Sequence, residues 1–163
     1  MSEFSTFFTA DCKSELKKCL SQEIWDEYKD KKCAENVSFK TCIFSGVKNQ
    51  DSGIGVYAGS HDSYKCFNKL FDKVIQNYHG HSPSDTHKSE MTSEGLVNFE
   101  LSEEDAAMIV STRIRVGRNL DKYPLGPGVS KQQRLDIMST VTAAADCFDE
   151  DLKGKFYPLD GMS

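Results

Sequence analysis

The chain has 163 residues, of which 38% are hydrophobic and 28% charged, with a net charge of −5. This balance suits a soluble globular protein, and the acidic sign argues against nucleic acid as a partner, since phosphate backbones call for a basic surface. No run of 18 apolar residues exists, which excludes a helical membrane span, and the first residues lack the basic and apolar regions of a secretory signal, so a cytoplasmic location is expected.

Residues 12–20 and 22–32 read as short amphipathic helices, with Ser21 capping the second. Ser38 opens a third helix that carries Phe39, Cys42, Ile43, Phe44 and Val47 before the polar stretch KNQDSG. The clearest periodicity covers 61–79, where Tyr64, Phe67, Leu70, Phe71, Val74, Ile75 and Tyr78 recur on one helical face. Gly80 stands where a C-terminal glycine is expected. Residues 80–100 are polar and aperiodic and read as a linker. Beyond it, 107–116 is rich in β-branched residues and alternates over 112–116, which predicts a strand. A Gly/Pro segment then leads to Ser130, and Ser130 with Gln133 has the form of a capping box. The helix that follows should turn Leu135, Met138, Val141, Ala145 and Phe148 inward, and 155–159 (KFYPL) reads as another strand. The expected organisation is an all-helical domain over 1–90, followed by a linker and the start of an α/β domain over 91–163.

The six cysteines, at 12, 19, 33, 42, 66 and 147, show neither CxxC nor zinc-ligand spacing, and free thiols are the better reading in a chain without an export signal. His79 and His81 read as a surface pair, and no metal site is expected.

Two segments carry chemistry. In Asp51-Ser52-Gly53-Ile54-Gly55-Val56-Tyr57, two glycines let a backbone approach a ligand and present amide donors, which suits a carboxylate or a phosphate. Tyr57 can close such a pocket with its ring and hydroxyl. The plain alternative is a tight turn between helices. The spacing G-x-G-x-x-x-G without a preceding strand is not a dinucleotide fingerprint. The second segment is Ser111-Thr112-Arg113-Ile114-Arg115, followed by Arg118. The chain has 16 Lys but only four Arg, and three of those four fall here. On a strand, Arg113 and Arg115 would share one face about 7 Å apart, a spacing at which two guanidinium forks can grip neighbouring phosphates. The alternative is a charged strand edge that deters association. Arg118 is a candidate for a structural ion pair.

With these segments in view, the chain resembles the phosphagen (ATP:guanidino) kinases, most closely those that act on L-arginine. Residues 45–58 (SGVKNQDSGIGVYA) resemble the family's guanidino-specificity loop, and 111–120 (STRIRVGRNL) its first ATP-phosphate-binding strand. YPLGPG at 123–128 and LKGKFYPLDGMS at 152–163 fit the same pattern. The resemblance implies an α+β fold, a small all-α domain before a larger one whose antiparallel sheet is flanked by helices. It implies reversible transfer of the γ-phosphoryl group from Mg-ATP to L-arginine. Ser52, Gly53, Ile54, Gly55, Val56 and Tyr57 would hold the guanidino substrate, and Ser111, Thr112, Arg113, Ile114 and Arg115 the ATP. Asp51 would enter an interdomain ion pair on closure. The family's guanidinium-holding carboxylates, its reactive cysteine and its remaining nucleotide arginines lie later in the chain and have no counterpart here. The resemblance therefore implies an amino-terminal piece without catalytic residues of its own. Other acceptors in the family, taurocyamine, lombricine and creatine, remain open. So does a non-catalytic helical binding module.

Overall fold

The computed structural model describes residues 4–95 and 100–157. Among them seven α-helices form: α1 Glu15–Cys19, α2 Gln22–Tyr28, α3 Phe39–Lys48, α4 Ser63–Cys66, α5 Asn68–His79, α6 Glu103–Ala107 and α7 Lys131–Ala145. The residues fall into two compact units, one within Met1–Pro83 together with Asn119–Ser163, the other within Ser84–Arg118. No helix among the described residues is long and apolar enough to cross a membrane.

In the larger unit, serine caps set where the helices begin. Ser14, Ser21 and Ser38 each accept a hydrogen bond from the amide three residues on, that of Lys17, Ile24 and Thr41. Each cap satisfies one of the four N–H groups a helix start leaves unpaired. Because Ser14 is the cap, α1 begins at Glu15 and is shorter than the expected 12–20. α2 stops at Tyr28, where the chain turns, so the expected helix does not reach residue 32.

The expected helix over 61–79 is two helices. Phe67, at φ −119° and ψ 34°, breaks the helical path between α4 and α5. The break carries its ring into the core, 5.5 Å from Tyr28 and 5.2 Å from Phe39. Phe7 stands edge-on to Trp25 at 4.7 Å and completes an aromatic spine through the helical body. Leu16, Ile43 and Leu70 fill in around it with no exposed surface. Of the predicted face, Phe67, Leu70, Phe71 and Val74 are buried, while Tyr64 and Tyr78 stay exposed at the surface. α5 ends at Gly80 in the left-handed region, φ 73°, as its sequence position requires.

The segment 123–129 docks on this body. Leu125 donates its N–H to the Gly59 carbonyl at 3.1 Å. A side chain at Gly128 would sit 2.2 Å from the Gly59 carbonyl oxygen, so only glycine permits this approach. α7 follows with its capping box formed, Ser130 and Gln133 bonding each other's backbone N–H. Its expected inward face is not buried: Val141 and Phe148 are about half exposed and Ala145 is exposed. Leu135 and Met138 of that face are half-buried, and Leu152 and Phe156 line a cavity with Ala145 and Phe148.

In the smaller unit, α6 is capped by Ser102 and ends where a strand was predicted to begin. Residues 109–118 run as exposed chain without strand pairing. The strand over 107–116 and the antiparallel sheet are therefore not formed among the described residues, where the β-bridge is Lys32 with Ser38. A strand needs a partner for its backbone groups, and local residues supply none here. Residues 155–157 are likewise not strand, and 158–159 of that prediction lie outside the described residues.

Candidate functional site

The site is best built from the turn that leaves α3. Asn49 caps the helix end, its side-chain N–H donating to the Ser45 carbonyl at 2.9 Å, and Ser52 N–H closes a turn on the Asn49 carbonyl. The chain then crosses the start of α1. Glu15 N–H donates to the Gly53 carbonyl at 3.0 Å and Leu16 N–H to the Ile54 carbonyl at 2.9 Å. The otherwise orphaned first amides of α1 thus fix the carbonyls of residues 53 and 54. Tyr57 N–H donates to the Cys42 carbonyl at 2.9 Å and fastens the far end. Between these anchors the amides of Gly53, Ile54, Gly55 and Val56 find no acceptor among the described residues.

The two glycines do different work. Gly53 is exposed, and a side chain there would meet nothing within 4 Å. Gly55 is buried in the left-handed region at φ 82°, pressed on Gly46 of α3. A Cβ on Gly46 would lie 2.2 Å from the Gly55 carbonyl oxygen. The loop owes its path to this glycine pair, and only Gly53 faces open space. Val56 is buried and Ile54 half-buried against the core, Ser52 is half-buried, and Asp51 is exposed.

Tyr57, 45% exposed, separates two grooves. One, about 650 Å³, lies along α3 and is lined by Lys40, Thr41, Phe44, Pro127 and Arg134. The other, about 400 Å³, runs from Ile54 and Val56 across Phe71, Val74 and Tyr78 of α5. The first has a cationic rim and no carboxylate in its lining; the second is largely apolar.

Ser111, Thr112, Arg113, Ile114 and Arg115 are all exposed and belong to the Ser84–Arg118 unit. Without a strand, the alternation that would put Arg113 and Arg115 on one face is not imposed. Among the described residues Arg118 has no ion-pair partner; its guanidinium donates to the Gly117 carbonyl beside it at 2.6 Å.

Sequence reasoning passed over a polar cluster beside the core. Ser60 and Ser63 hydroxyls lie 2.9 Å apart, and Ser60 donates to Asp62 at 2.6 Å. The other Asp62 oxygen accepts from Ala34 N–H at 2.8 Å. The Ser60 hydroxyl and then the Ala34 amide hold the Asp62 carboxyl below the usual carboxylate range. The run Ser60-His61-Asp62-Ser63 ahead of a helix was the available signal, since Ser and Asp favour such positions. All six cysteines are free thiols, Cys147 exposed and Cys12, Cys19 and Cys42 buried.

With this geometry in place, comparison with known proteins is informative. Residues 10–76 match the model of the ATP:guanido phosphotransferase N-terminal domain. The chain is 43% identical over 153 residues to an arginine kinase of Anthopleura japonica, covering 93% of this chain and 21% of that protein. It is 39% identical over 155 residues to arginine kinase Lit v 2 of Penaeus vannamei, covering 94% of this chain and 43% of that one. The chain thus spans less than half the length of these curated relatives. Among solved structures, the substrate-free duplicated taurocyamine kinase of Schistosoma mansoni matches with a TM-score of 0.78 at 25% identity, over 97% of this chain and 22% of that one. Lombricine kinase matches with a TM-score of 0.68 at 25% identity, over 94% of this chain and 42% of the other. The buried helical core, the loop fastened across α1 and α3, and similarity along nearly the whole sequence agree: this chain carries the N-terminal domain of the ATP:guanido phosphotransferase family.

Proposed function

We propose that the complete gene product transfers the γ-phosphoryl group of Mg-ATP reversibly to L-arginine, with residues 52–57 receiving the amino-acid end of the acceptor. The observation that carries this reading is the run of acceptorless amides from Gly53 to Val56 on a loop fixed at both ends. Preorganised N–H donors suit a carboxylate, since they need no reorganisation when it arrives. Tyr57 stands beside them with its ring half exposed, positioned to flank the bound acid. Gly53 is the residue whose lack of a side chain admits the ligand, whereas Gly55 serves the fold. The likeness to arginine kinases at 39–43% identity supports arginine over the other guanidino acceptors.

Ser111 through Arg115 would take the nucleotide phosphates, Arg113 and Arg115 through bidentate contacts. These groups require a surrounding sheet to hold them on one face. The magnesium ion, bound with the nucleotide, would supply charge neutralisation at the phosphates. Asp51 is exposed at the head of the loop and is free to pair across a closing domain. Catalysis in such a system is positioning and electrostatics more than covalent chemistry. A domain boundary near residue 90 and a cytoplasmic setting accompany this proposal.

The test is phosphotransfer by the complete gene product with arginine, taurocyamine, lombricine and creatine side by side. Preference for arginine supports the assignment, preference for another acceptor reassigns the loop, and no transfer to any of them leaves the helical binding module.

A further inference from the structure

We propose that Cys33 and Cys66 form an oxidation-sensitive pair, which a peroxide closes into a disulfide joining the 31–34 turn to α4. Three elements bring the two thiols together. Lys31 Nζ donates to the Cys66 carbonyl at 3.0 Å, and Cys66 Sγ lies 3.9 Å from the carbonyl of Lys32, the residue before Cys33. Ala34 N–H is tied to Asp62, just ahead of α4, at 2.8 Å. Cys33 Sγ in turn sits 3.1 Å from Ser60 Oγ and 3.3 Å from Ser63 Oγ. The turn bearing Cys33 and the helix bearing Cys66 are therefore held against each other, with each thiol within electrostatic reach of the other.

Both are half-buried and reachable by a small oxidant. Cys42, the third thiol of the cluster, is fully buried with its sulfur 3.9 Å from Ser63 Oγ, and is out of reach. In the reaction, one thiolate attacks an oxygen of hydrogen peroxide, giving a sulfenic acid and releasing hydroxide. The second thiol then displaces the sulfenic oxygen as water and forms the S–S bond. Two thiols lose two electrons and two protons, and the peroxide is reduced to two waters. Burial pushes the Cys66 thiol up, against the Lys31 ammonium, so less thiolate is present at neutral pH and closure should quicken as pH rises. The ring so closed contains α3 and the whole 51–57 loop.

The experiment is peptide mapping of the chain after hydrogen peroxide, with free thiols alkylated and no reductant added. The expected product is one cross-link between the Cys33 and Cys66 peptides, two hydrogens lighter than their sum and undone by dithiothreitol. Its rate should rise between about pH 7 and about pH 8.5, and the oxidised chain should melt at a higher temperature because the ring restricts the unfolded state. Cys147→Ser should leave the yield unchanged. A cross-link to Cys42 or Cys147 instead, or sulfinic acids at 33 and 66 without a cross-link, would overturn the proposal; neither readout needs a variant at the pair itself.

Discussion

At residue scale, the two glycines of the loop meet different surroundings, Gly55 pressed on Gly46 and Gly53 in open space. Gly55→Ala should destabilise the chain by about 1–3 kcal/mol, because its backbone is left-handed and its neighbour Gly46 cannot give way. Gly53→Ala adds a methyl group into open space. In the complete gene product it should leave the melting curve unchanged and raise KM for the guanidino acceptor more than for ATP. An ATP-selective defect would place the loop at the other ligand. Arg115→Lys should lower kcat by about 10²–10³, the usual cost of one preorganised donor, with little change in acceptor KM; retained turnover would remove Arg115 from the phosphate site. Asp62 gives a pH signature. Its folded-state pKa is depressed, so its contribution is present above the unfolded value of about 3.9 and is lost as pH falls through the lower folded value. Asp62→Asn should lower stability at pH 7 and flatten this acid limb in urea melts taken at a series of pH values. An acid limb identical to that of the parent would show that the two hydrogen bonds carry no linkage.

Among elements, the two long helices should respond to mutation in opposite ways. Leu70 of α5 has no exposed surface, and Leu70→Ala should cost about 2–5 kcal/mol in global unfolding. Ser130→Ala removes the hydroxyl that accepts from the Gln133 N–H in the α7 capping box and keeps the reciprocal bond from its own N–H, yet α7 has no buried residue. Its effect, about 1 kcal/mol, should show as faster amide exchange in the first turn of α7, with the global melt unmoved. A shift of the whole transition would mean that α7 is coupled to the core. The same contrast explains what the sequence disclosed. Ser21, Ser38, Ser130 and Gly80 were legible because a cap is settled within four residues. The break at Phe67 was not, because the apolar spacing over 61–79 is the same with or without it, and a distant aromatic spine decides the matter. The strand at 107–116 failed for the converse reason, since β-branched composition and local alternation were all that was read and no described residue pairs with this segment. In the loop, the order of residues pointed to both Gly53 and Gly55 beside Tyr57 as the ligand approach, but the demand on Gly55 comes from Gly46, which no local pattern singles out.

For the whole molecule, stability resides in the helical body. The described core residues run from Phe7 to Val74, and none beyond that is buried apart from Pro124. The family match over 10–76 covers nearly the same span. The boundary read from the sequence near residue 90 lies in the Ser84–Arg118 unit, beyond Pro83 where the chain leaves the larger unit. It missed the return of the chain at 123–129, because two glycines and two prolines read as a loop until their docking partner, Gly59, is known.

That return has a consequence for how the molecule holds together. The chain leaves the larger unit at Pro83 and rejoins it at Asn119, so Ser84–Arg118 is a tether with both ends on one body. The contact it serves involves few residues: the Leu125–Gly59 hydrogen bond, the approach of Gly128 to Gly59 and Val37, Leu125 against the core, and buried Pro124. Such a contact is weak between separate molecules, and the tether supplies it with an effective concentration of order millimolar. Cutting the tether should turn docking into a dilute bimolecular encounter. Limited proteolysis in the exposed stretch 84–94, followed by gel filtration at micromolar concentration, should therefore resolve the helical body from the piece bearing α7. If the two pieces travel together after cleavage, the seat at Gly59 binds tightly in its own right and the covalent link is dispensable.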